Sequence, residues 1–109
     1  MFDRDFVQIA AISVAASGDN TIIAAVAGKL ITVVGLLLVN SVATAQSVIL
    51  KDGATALSGA MQLGSSPLVL PDNGSNGFDW FRTSSTANNL VLNLSAATAV
   101  GGTIWYIQQ

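Results

Sequence analysis

The side chains able to take part in bond-making chemistry are few in this 109-residue sequence. There is no His, no Cys and no Glu, which removes the commonest general base, the commonest metal ligands and any disulfide framework. Six aspartates remain: Asp3, Asp5, Asp19, Asp52, Asp72 and Asp79. Asp3 and Asp5 stand together near the start of the chain. Asp19 and Asp52 sit in turn-forming contexts, Ser-Gly-Asp-Asn and Lys-Asp-Gly, where Asp is an ordinary turn residue. The stretch Asp72-Asn73-Gly74-Ser75-Asn76 has the acid, amide and glycine of a calcium loop but lacks the closing Glu and the flanking helices. Pro71-Asp72-Asn73-Gly74 is explained by turn chemistry alone. Serines are plentiful, but only Lys29 or Lys51 could activate one, and both lysines stand beside turn residues. No Gly-rich phosphate loop occurs. The expectation is a protein that is not an enzyme, with no cofactor and no small-molecule substrate.

The remaining chemical signal is aromatic. Phe78, Trp80, Phe81 and Arg82 follow the long Pro71–Gly77 loop, and Trp105 lies near the C-terminus. On a strand, Phe78 and Trp80 share one face while Asp79 and Phe81 share the other. One face must fill the core; the other could present an aromatic or Arg82, the residue types that most often anchor interfaces. A carbohydrate-stacking platform would want more Trp and Tyr than Trp80, Trp105 and Tyr106.

These residues are positioned by a series of short apolar runs separated by Gly, Asn, Asp, Ser and Pro. Period-two alternation and β-branched residues dominate over any helical period. Strands are expected over 6–15, 21–26, 30–40, 46–50, 55–57, 78–83, 89–95 and 103–107, with 60–63 as a candidate ninth, while the turn stretches 65–67 and 71–77 bracket Leu68–Leu70. Turns are expected at Ser17–Asn20, Ala27–Lys29, Asp52-Gly53 and Gly101-Gly102. The unbroken apolar run 30–40 implies burial on both faces or a bend at Gly35. In 89–95, Leu90, Leu92 and Leu94 face one way and Asn89, Val91 and Asn93 the other. In 103–107, Ile104 and Tyr106 oppose Trp105 and Ile107. The alanines at 10–11 and 15–16 and the run 22–28 could favour helix, but their flanking turns leave room for only short segments. The expected fold is therefore all-β: a β-sandwich, jelly-roll-like, with about eight short antiparallel strands. An immunoglobulin-like sandwich is the second choice, without its cysteine pair. One domain covers 6–109, preceded by an N-terminal arm, 1–5.

Charge is scarce. Charged residues make up 9% of the chain against an average near 25%, and the net charge is −2. Arg4, Lys29, Lys51 and Arg82 are scattered, so no basic patch for nucleic acid exists. A surface this poor in charge suits burial against other protein, and self-association is expected. The N-terminus mixes Asp3 and Asp5 with Arg4, unlike a secretory signal. The apolar run 22–39 would place Lys29 inside a membrane, so a turn between strands is the better reading.

Several stretches are similar to short proteins encoded among the structural genes of tailed bacteriophages. They are Phe6–Ser13, Ser17–Ile23, Ala27–Lys29, Lys51–Leu63, Leu68–Pro71, Leu92–Ser95 and Val100–Thr103. The similarity rests on strand and turn patterning and carries no catalytic motif. It implies a virion protein, with a capsid decoration (cement) protein as the best-fitting role. Such proteins commonly sit on the outer shell as homotrimers and bridge capsomers. The partners implied are further copies of this chain and the phage major capsid protein, on the capsid surface of a virion made in the host cytoplasm. The interface candidates are Phe2, Arg4 and Asp5 of the arm, Trp80, Phe81 and Arg82 of the aromatic strand, and Trp105. A tail-associated module that recognises host-surface glycan is the alternative.

Overall fold

The computed structural model describes residues 7–42, 44–71 and 81–109, and within them there are ten strands and no helix. They are β1 (Gln8–Val14), β2 (Gly18–Ile23), β3 (Ile31–Asn40), β4 (Gln46–Asp52), β5 (Thr55–Ala56), β6 (Met61–Leu63), β7 (Leu68–Leu70), β8 (Phe81–Arg82), β9 (Leu90–Leu94) and β10 (Val100–Gln108). All pairing is antiparallel. One sheet, here sheet A, runs β1-β10-β3-β7, with β8 also on β3. Sheet B runs β2-β9-β4-β5, with β6 also on β4. Because β5 and β6 share one flank of β4, and β7 and β8 one flank of β3, the ten strands, against about eight expected, occupy eight strand positions.

The sheets face each other across one apolar core. Sheet A contributes Ile12, Ile31, Val33, Leu36, Leu38, Val100 and Ile104; sheet B contributes Ile23, Val48, Leu50, Leu63, Leu90, Leu92 and Leu94. Alternation dictates these choices: Leu90, Leu92 and Leu94 are buried at every second position, as the sequence implies. Val91, between them on the outward face, is also nearly buried, at 6% exposure, beside Thr21 and Lys51 of the neighbouring strands. The Cα radius of gyration, 13.3 Å, is that of a compact domain of about 100 residues, near 13 Å.

The long apolar run in β3 has a specific cause. Its pairing with β10 jumps from Gly35 opposite Trp105 to Val33 opposite Tyr106, leaving Val34 extra. This bulge switches the parity of the strand. Ile31 and Val33 face the core before it, Leu36 and Leu38 after it, so no simple alternation is visible in the sequence. The irregularity beside Gly35 is therefore the main cause, and burial on both faces holds only at Val34 and Gly35, since Leu37 is partly buried and Val39 exposed.

Some turn expectations need correcting. Gly18, Asp19 and Asn20 belong to β2, and the chain crosses from sheet A to sheet B over Ala15–Ser17 alone. Gly18 makes this corner possible with φ +88°. Asp52 pairs with Thr55, so the two-residue hairpin loop is Gly53-Ala54. Gly53 takes its first central position at φ +59°, where a II′ turn needs glycine. Gly101 and Gly102 do not turn the chain. They lie within β10, paired on both sides, and a Cβ at Gly102 would run into the Leu37 carbonyl. The glycine is there for close approach of two strands.

Candidate interaction surface

Residues directly opposite one another in adjacent strands share a face, so the registers map the outer surface of each sheet. On sheet A three rows cross the strands: Ile9–Trp105–Gly35, Ala11–Thr103–Leu37–Val69, and Ser13–Gly101–Val39. None of these ten positions is charged, and only Ser13 and Thr103 are polar. Ile9 is 68% exposed, Val69 55% and Val39 40%, which is unusual for large apolar side chains. Between β3, β7 and the Trp105 ring lies an open groove of about 180 Å³, lined by Leu36, Leu37, Val69, Leu70, Pro71 and Trp105. Every side chain lining it is apolar.

Sheet B presents the opposite character. Its outward rows are Asp19–Asn93–Ile49, Thr21–Val91–Lys51–Ala56 and Ser47–Gln62. Lys51 Nζ donates to Asp19 Oδ1 at 3.0 Å and Oδ2 at 3.1 Å, and Asn93 Nδ2 donates to Oδ1 at 2.7 Å. The Asn93 hydrogen bond and then Lys51 hold the Asp19 carboxyl below the usual carboxylate range. The trio straps β2, β9 and β4 together at the surface.

Asp52 is the one buried carboxylate among the described residues. Burial alone would raise its pKa. The hydrogen bonds it accepts outweigh that: Ser84 donates to Oδ2 from its hydroxyl (2.7 Å) and its amide (2.9 Å), and Asn88 Nδ2 donates to Oδ1 (2.8 Å), so the net shift is downward. The carboxylate has no free reacting edge. It pins the 83–89 connection to the end of β4 and explains why this Asp is more than a turn residue.

Of the seven interface candidates read from the sequence, Phe2, Arg4, Asp5 and Trp80 lie outside the described residues, as does the calcium-like stretch 72–76. Phe81 pairs with Val33 and packs against the core, whereas Arg82, paired with Thr32, is exposed on the outer side of sheet A. Trp105 lies half-buried on that same outer side. Arg82 and Trp105 thus share a face, and Phe81 points the other way. The sequence reading missed Ile9, Leu37, Val39 and Val69. Ile9 was legible as the odd-numbered partner of a strand whose even positions, Ala10 and Ile12, go inward. The β3 residues were hidden by the bulge. Among the described residues no group of three or more His, Cys, Asp or Glu side chains could hold a metal ion. No helix there is long and apolar enough to cross a membrane.

No family model matches the chain, and neither the curated proteins nor the solved structures include one significantly similar to it.

Proposed function

We propose that this chain is a structural virion protein of a tailed bacteriophage, a capsid decoration protein that associates with itself and with the major capsid protein to stabilise the head shell. The observation that carries this reading is the three uncharged rows on the outer face of sheet A, with Ile9, Val39, Val69 and Trp105 set on paired strands and Arg82 as the one charge beside them among the described residues. A freely diffusing domain has little use for such a face; a component that spends its life against other protein does. The similarity of the strand and turn stretches to phage structural proteins supports the same role, with three copies as the number that similarity implies.

The jelly-roll reading belongs to this proposal. The first four strands alternate between the sheets, the first pairs with the tenth, the second with the ninth, and β3 and β4 lie on the far flanks of β10 and β9. Folding a long hairpin over on itself would produce that order, which supports two interlocked Greek keys.

The glycan-recognising alternative has weaker support. A sugar site needs hydrogen-bonding side chains around its aromatic platform, and among the described residues the groove beside Trp105 is lined by Leu36, Leu37, Val69, Leu70 and Pro71.

The test is binding of the purified protein to empty phage heads, followed by co-sedimentation and by the thermal stability of the heads. Binding that raises head stability and is lost in Val69→Lys supports the role. Binding to polysaccharide that depends on Trp105, with none to heads, overturns it in favour of the tail module.

A further inference from the structure

β1 is paired on one side only, to β10. Along its other side the backbone N–H and C=O groups of Gln8–Val14 meet no partner among the described residues. Proteins ordinarily blunt such an edge with lysine, proline, a bulge or a very short strand. β1 uses none of these. It is seven residues of Gln-Ile-Ala-Ala-Ile-Ser-Val, uncharged, free of proline, and in unbroken register with β10 throughout.

The other edges are blunted. β2 carries Asp19 and breaks register between Thr21 and Ile23. β7 is three residues long with Pro67 before it and Pro71 after it, while β5 and β8 are two residues each. Among the described residues a neighbour's β1 therefore finds only one edge of matching length and character, which is β1 itself.

We propose that β1 is a seam at which two copies of this chain join, strand against strand, antiparallel about a two-fold axis. Matching of the two faces requires paired positions of equal parity. The register that uses all seven residues places Ala11 opposite Ala11 of the second copy, Ile9 opposite Ser13, Ala10 opposite Ile12 and Gln8 opposite Val14. Ala11 at the axis is small and exposed, so the close approach meets no bulk. The join makes sheet A continuous across two copies and fuses their apolar outer faces, drawing Ile9 into a covered position. The seam does not depend on the virion role. It builds even-numbered assemblies, so within that role it stands in place of the three-fold arrangement.

The experiment is light scattering behind a sizing column on the full chain over a range of concentrations. The wild type is expected at twice the 11.1 kDa chain mass. Ala11→Lys sets two like charges across the axis on residues roughly 4.5–5.5 Å apart, and is expected to run at the single-chain mass with an unchanged circular dichroism spectrum. Ala11→Asp is expected to do the same. Mixing the two variants is expected to restore the doubled mass, because opposite charges then face each other. A wild type that stays at the single-chain mass overturns the seam, and so does a mixture that fails to reassociate. A trimeric mass unmoved by Ala11→Lys also overturns it while leaving the decoration role intact. A doubled mass abolished by Ala11→Lys, in a protein that ignores empty heads, upholds the seam and overturns that role.

Discussion

The two outer faces of the sandwich are built on the same plan and finished differently. Both sheets send every second side chain into one core, and both leave a face outward across their two long central strands. On sheet B that face carries Asp19, Lys51, Asn93, Ser47 and Gln62, tied by an ion pair and a carboxamide bond. On sheet A it carries Ile9, Leu37, Val39, Val69 and Trp105, with no charge in the rows that hold them and Arg82 at the β8 flank. The core would be equally well served by polar residues at these positions. The difference suits sheet B to water and, in the role proposed above, sheet A to contact with other protein.

Substitutions can break or sharpen that contrast, and the largest effect is expected beneath the apolar face. Gly102→Ala drives a methyl into the Leu37 carbonyl at φ +156°, where an L-residue is already strained. A loss of about 3 kcal/mol is expected from overpacking and backbone strain together, read as a lower urea midpoint. Gly59→Ala, where a Cβ meets nothing within 4 Å, should leave the midpoint nearly unchanged.

Next is Asp52→Ala, on the inner side of the polar sheet. It leaves the Ser84 amide and hydroxyl and the Asn88 carboxamide without their acceptor, at a cost of about 2 kcal/mol. The same carboxylate sets a pH dependence. Its folded pKa lies below the unfolded value of about 3.9, so its stabilisation is present above that value and is lost as pH falls through the lower folded one. Asp19 acts in the same direction. Urea midpoints should hold level from neutral pH to about pH 5 and decline below about pH 4, with a smaller decline in Asp52→Ala.

Asp19→Val should barely move the urea midpoint, since exposed ion pairs contribute little. It removes the charge that guards the β2 edge and makes the polar face resemble the apolar one. Increased self-association on a sizing column is the expected result. Smallest in stability is Val69→Lys, at an exposed position on β7, expected within about 0.5 kcal/mol of wild type. Its effect belongs to binding, where a lysine beside Trp105 should weaken capture by empty heads.

Most of the strand list was legible because apolar runs are short and bounded by strong turn residues. Leu90, Leu92 and Leu94 declare β9 outright, whereas Leu68–Leu70 was legible only as an apolar stretch between two turns. What was not legible depends on pairing across the chain. Gly101-Gly102 reads as a turn locally, and only the neighbouring carbonyl of Leu37 shows that glycine is needed for close packing. Asp52 reads as a hairpin residue, and its burial depends on Ser84 and Asn88 arriving from a distant loop. The apolar face was hidden for a similar reason. The bulge at Val34 scrambles the alternation of β3, so Leu37 and Val39 cannot be told from core residues until the register with β10 is known.

That register also sets the order of events during folding. β10 lies between β1 and β3, although both precede it by most of the chain. Until Val100–Gln108 is available to slot between them, the two strands have no lasting partner on their facing edges. Local hairpins cannot nucleate such a sheet, and the loop-closure entropy of the long connection must be met before any of its hydrogen bonds form. Sheet A should consequently assemble slowly, with β1 open on both edges until β10 arrives. A nascent chain in that state is most exposed to its own neighbours, and crowded synthesis of many copies would favour pairing between chains at that open strand.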